Sequence, residues 1–124
     1  MKNPWVISIL LAVAHHSVNA SHDSTKPVTL TGTIDKVQWV NPHSWLTLQV
    51  RSENGQVATQ RVEMAGPSRL AKVGVDRSLF QVGQTVSVEA WPPKPEFKND
   101  AFSGRWVILA DGRRLDIHDA FGEP

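Results

Sequence analysis

The sequence predicts an all-β protein, a small five- to six-stranded OB-fold-like barrel with one short helix between strands 3 and 4. Short runs of alternating apolar and polar residues begin at Val28 and continue to Ile117. Turn residues punctuate them at "NPH" (41–43), "SENG" (52–55) and Asp111-Gly112. One helix-like segment, "GPSRLAKVG" (66–74), falls after the third run. Three strands, a helix and two strands is the element order of an OB-fold; an unrelated β-sandwich or roll is the alternative. A chain of 124 residues, 40% hydrophobic and 20% charged, suits one packed domain.

The first strand is expected from Val28. Val28, Leu30 and Ile34 share one phase, with Gly32 between them, but Val37 and Trp39 lie on the other phase. One inserted residue near Asp35–Lys36, a β-bulge, accounts for the shift, and Gly32 lets the strand bend. Pro42 breaks the ladder because it has no N–H. In the second strand Leu46, Leu48 and Val50 alternate with Trp45, Thr47 and Gln49. "SENG" turns the chain into "QVATQRVEM" (56–64), with Val62 and Met64 opposite Arg61 and Glu63. In the helix, Pro67 fits the first turn, Leu70 and Val73 are three apart, and Gly74 closes the end. "QTVSVEAW" (84–91) and "GRWVILA" (104–110) are the fourth and fifth strands, joined by the proline-rich loop 91–102. "RRLDI" (113–117) adds a short last strand.

The ends of the chain read differently. Met1 to Ala14 has the pattern of a signal peptide: Lys2, then the apolar run "WVISILLAVA" (5–14), too short to span a membrane. Ala12 and Ala14 suit cleavage before His15; Val18 and Ala20 suit a cut before Ser21. The alternative is a buried N-terminal element of an unexported protein. Residues 15–27 form an extended histidine-containing arm, 28–117 the barrel domain and 118–124 a tail. Removing 1–14 takes away one basic residue, Lys2, and leaves 12 basic and 12 acidic residues. That balance argues against nucleic acid as a partner. The absence of cysteine excludes disulfides and thiolate chemistry.

Candidate functional residues fall in two places. If cleavage exposes His15, its amine and imidazole offer two nitrogen ligands, and His16 or an inward-reaching His43 supplies a third. Such a set suits copper or zinc. The plain alternative is a solvated arm. If the cut follows Ala20, His15 and His16 are lost. The second place is "WVNPHSW" (39–45), where Trp39 and Trp45 flank a corner made by Asn41 and Pro42, and His43 projects from the loop. Either His43 is a ligand-facing imidazole between aromatic walls, or, as the pattern favours, it caps a turn while the tryptophans pack. Trp45 is out of phase with Leu46 and Leu48 and should face away from the core. Glu63, opposite Val62 and Met64, completes the candidate ligand-binding set Trp39, Asn41, His43, Trp45 and Glu63. Ser17, Ser44 and Ser68 lack an acid–base partner, and no phosphate loop or defensible carboxylate pair is present, so no enzyme is expected.

"AHHS" (14–17), "KPVTLTGTIDKVQWVNPHSW" (26–45), "VEMAGPSRL" (62–70) and "LADGRRL" (109–115) follow one another in the order seen in a family of small exported bacterial proteins of unknown function, which the chain resembles from Ala14 to Leu115. The resemblance implies an OB-like fold and a leader ending just before the paired histidines. It carries no activity. Val18 stands where an aromatic residue is expected, and the proline-rich stretch 92–95 is a further departure. The expected protein is a periplasmic, non-catalytic binding module for a small molecule, peptide or protein partner; the alternative is a copper- or zinc-binding protein.

Overall fold

The computed structural model describes residues 20–98 and 101–118. The leader reading, His15, His16 and residues 119–124 lie outside them. Six strands make one sheet: β1 (Val28–Gln38), β2 (His43–Arg51), β3 (Val57–Ala65), β4 (Thr85–Trp91), β5 (Phe102–Ile108) and β6 (Arg114–Asp116). Their order is β3-β2-β1-β4-β5-β6, and a parallel pairing of β3 with β5 closes the first five into a barrel. Helix α1 (Pro67–Lys72) lies between β3 and β4. This is the OB-like arrangement the element order predicts.

The bulge in β1 is where the alternation breaks. Ile34 opposes Leu48, but Lys36, not Asp35, opposes Thr47, so Asp35 is the extra residue. Before it, Leu30 and Ile34 point inward; after it, Val37 does, and Lys36 turns outward. The bend lets β1 serve two neighbours, β4 through its first half and β2 along the rest. Gly32 sits at their junction, where a Cβ would lie 2.2 Å from the Gln49 carbonyl oxygen; only glycine fits so near another backbone.

The core is built from the inward residues of every strand: Leu46 and Leu48, Val62 and Met64, Val86 and Val88, and Val107 are all buried. Each such side chain contributes roughly 1.5–3 kcal/mol on burial. Helix α1 adds Leu70. It ends in a Schellman motif: Val75 N–H donates to the Leu70 carbonyl and Gly74 N–H to that of Ala71, with Gly74 at φ 79°. The chain therefore turns back at Gly74, and Val75 is buried beside Leu70 while Val73 is 41% exposed. Helical spacing paired Leu70 with Val73; the motif replaces Val73 with Val75. A 3-10 turn at Arg77–Leu79, capped by Asp76, then delivers Phe80 to the core.

β5 begins at Phe102, two residues before the expected start, because Phe102 and Ser103 make the closing pairs with Val62 and Glu63. Gly104 follows at this seam. β6 fills the rest of the opening. It pairs with β5, and the Ile117 carbonyl accepts from Ala65 N–H, tying the chain end back to β3. The first residue of the tail, His118, packs on the barrel: its ring meets Trp91 edge-on at 4.7 Å. At the other end, residues 21–23 lie against the proline-rich loop. Asp23 N–H donates to the Pro92 carbonyl and Lys94 N–H to that of Ser21. The His22 ring is held by the Ser21 hydroxyl and the Ala101 carbonyl, both at 2.8 Å. A turn at Asp23–Lys26 then leads into β1, so this part of the arm is folded against the barrel rather than simply extended.

Candidate functional site

The outer face of the β2–β3 hairpin brings together three of the predicted site residues. Strand alternation buries Ser44, Leu46 and Leu48 and turns His43, Trp45, Thr47 and Gln49 outward. On β3, Arg61 and Glu63 share that outer face. The register sets Trp45 opposite Glu63, Thr47 opposite Arg61 and His43 opposite Ala65. Two contacts then run along the same diagonal. His43 Nδ1 lies 3.7 Å from Glu63 Oε2. The Arg61 guanidinium lies over the Trp45 ring, 4.4 Å from its centroid. His43 is the first residue of β2, not a residue of the preceding loop, so its backbone is fixed by the ladder.

The hairpin has a chemically mixed surface. Arginine stacked on an indole keeps its N–H edges directed outward, and the stacking at an exposed site is worth about 0.5–1 kcal/mol. The imidazole–carboxylate pair is about one-third exposed on each side and contributes at most about 1 kcal/mol when the ring is protonated. Neither contact is needed to hold the fold. Ser44 is buried, 3.4 Å from the Val40 carbonyl to which its hydroxyl donates, and takes no part in the surface.

Trp39 and Asn41 are elsewhere. Trp39 packs against Phe80, ring centroids 6.1 Å apart, and joins the edge of the core. Trp39 and Trp45 therefore do not wall His43 from two sides. Asn41 and Pro42, joined by a cis peptide, abut Gly66, where a Cβ would lie 2.4 Å from the Pro42 carbonyl oxygen. The corner thus packs on the start of α1. His15 and His16 lie outside the described residues; among those described, no three His, Asp or Glu residues are grouped to hold a metal ion.

Arg61 is the residue that sequence reasoning undervalued: alternation sets it on the same strand face as Glu63, but it is not in the candidate set. The signal was a cation two positions before Glu63, diagonal to Trp45 once the register is known. A second cluster was also missed. A bulge between Glu89 and Ala90 lets both Arg105 and Trp106 face outward. Arg105 then pairs with Glu89 at 3.1 Å and lies over Trp91 and Trp106, while Arg114 covers the other reach of Trp106 at 3.8 Å. This cluster spends its cations on its own rings and carboxylate.

Comparison with known families places the chain. The model of a family of unknown function, DUF6152, matches residues 6–100. The chain belongs to this family. The match takes in the arm, the hairpin with its diagonal pairs, α1 and β4; β5 and β6 lie beyond it. No curated protein matches the DUF6152 chain. Among the described residues no helix is long and apolar enough to cross a membrane.

Proposed function

We propose that this DUF6152 protein is an exported, periplasmic, non-catalytic binding module whose ligand sits on the outer face of β2–β3. The observation that supports this most is Trp45, a half-buried indole on the outer strand face with Arg61 stacked on it and the His43–Glu63 pair beside it. The corresponding strands of OB-folds, with the loops at their ends, are a recurrent ligand platform. A small molecule or peptide with a flat apolar part and a polar end matches this surface. Titration of the full chain with a small-molecule and peptide fragment set, followed by amide and indole NMR shifts, tests the reading. Hits are expected to cluster on Trp45, Arg61 and Glu63 and to be lost in Trp45→Ala with the fold intact. Hits that cluster on Trp91 and Trp106 instead would sink it.

A second reading is copper or zinc binding through His15, His16 and His43. What favours it is the fixing of His22 on Ala101, one residue before the Phe102–Val62 pair, which holds His22 close to the β3–β5 seam. From His22 to His16 is six residues, an extended reach of roughly 20 Å. Intact mass of the exported protein decides whether His15 is the first residue. Cupric titration should then show binding that a His15→Ala, His16→Ala variant loses; equal binding by that variant excludes the site.

A further inference from the structure

We propose that the row Lys36–Thr47–Arg61, across β1, β2 and β3, binds the carboxylate of a small organic acid whose apolar part lies beside Trp45. This deepens the binding-module reading by naming its ligand class, and it rests on that reading for the place. The row is a product of register. Lys36 is directly opposite Thr47 on one side, and Thr47 is directly opposite Arg61 on the other. Adjacent strands lie about 4.8 Å apart, which sets the two cations about 10 Å apart at the backbone with a hydroxyl between them. Two side chains of that length close readily on one carboxylate above Thr47.

The bulge makes the row. Without the extra residue at Asp35, strand alternation would carry Lys36 to the same side as Ile34, which is buried. The bulge turns it outward, onto the strand position level with Arg61. Bulges recur beside active sites, where they bend the strand and re-aim the side chains that follow. Neither cation is neutralised in place: among the described residues, no carboxylate forms an ion pair with Lys36 or Arg61. Arg61 is instead oriented by its stack on Trp45, which leaves its forked N–H edge for a bidentate acceptor.

Charge decides between anions. Asp35, which accepts from Gln49 Nε2, and Glu63, next to His43, flank the row on either side. Two cations between two carboxylates suit a monoanion that takes up directed hydrogen bonds. They suit a phosphate dianion poorly.

Benzoate is the probe, with benzamide as its neutral match, titrated into the full chain and followed by the Arg61 Nε–H and Trp45 indole NMR signals. Saturable benzoate binding is expected. It should weaken about tenfold or more in Arg61→Gln and a few-fold in Lys36→Gln, and remain unchanged in Lys72→Gln on α1. Benzamide should not saturate. The proposal is overturned if benzamide binds as well, if both row variants bind benzoate normally, if inorganic phosphate displaces benzoate more tightly than benzoate binds, or if benzoate does not bind. Fragment hits that still map to Trp45 in that last case leave the binding-module reading standing without its carboxylate.

Discussion

Gly104 holds the seam where the barrel closes, and replacing it tests how tightly that seam is packed. A Cβ there would lie 2.5 Å from Ile117 Cδ1, 2.8 Å from Val62 Cγ1 and 2.9 Å from the Glu63 carbonyl oxygen. The first contact is the tip of a side chain and can swing away. The last is backbone and cannot yield without shifting β3 against β5. Gly104→Ala is therefore an overpacking substitution, expected to destabilise by about 1–3 kcal/mol. At about 4 °C per kcal/mol for a domain of this size, the midpoint should drop by roughly 4–12 °C. Ile117→Val removes the nearest obstructing atom and alone costs about 0.5–1.5 kcal/mol. In the double variant the two losses should fall short of additivity by about 0.5–1 kcal/mol, because the removed methyl relieves the introduced one. Urea unfolding of the four proteins gives the cycle. A Gly104→Ala protein as stable as the parent, or strict additivity, would refute the close packing of this seam.

Two further outcomes follow from the same geometry. His22→Ala removes the ring that spans Ser21 and Ala101, so amide exchange at Asp23 and Lys94 should accelerate about five- to tenfold while Val88 is unchanged; unchanged exchange at Asp23 would show that the ring is not the anchor. Hydrogen bonds to the carboxylates of Asp23 (from Thr25), Asp76 (from Ser78) and Asp111 (from Arg113) hold all three below the ordinary aspartate range. At these three groups the native state takes up protons less readily than the unfolded chain, so their contribution to stability is present above about pH 4, the unfolded value, and is lost as pH falls through the native values. Replacing the three with asparagine should flatten that acid limb of the urea midpoint; an unaltered limb would remove them as its cause.

Much of the barrel was legible because its strands are half-buried. Leu46, Leu48, Val62, Met64, Val86 and Val88 alternate with polar residues, and the phase change after Ile34 marks the bulge in the sequence itself. The last turn of α1 was not legible in the same way. Leu70 and Val73 have helical spacing, but the left-handed Gly74 redirects the chain and buries Val75 instead. For the site, alternation alone turned Trp45 and Glu63 outward. It said nothing about which residues meet, because diagonal neighbours depend on the register of two strands and on a loop length. Hence Arg61 over Trp45 was not foreseen, and Trp39, on the other side of His43 in sequence, packs on Phe80 instead.

The anchoring of His22 also bears on the order in which the chain assembles. The residue it grips, Ala101, lies 79 positions downstream. The β2–β3 hairpin, by contrast, needs only the Ser52–Gln56 turn to join its strands. Local pairings of that kind close early, and long-range ones wait for the loop entropy to be overcome. During synthesis the hairpin therefore has its partner at hand long before residues 20–23 have theirs. Residues 21–23 are thus among the last to be held, settling only once Ala101 is made and the barrel is all but complete.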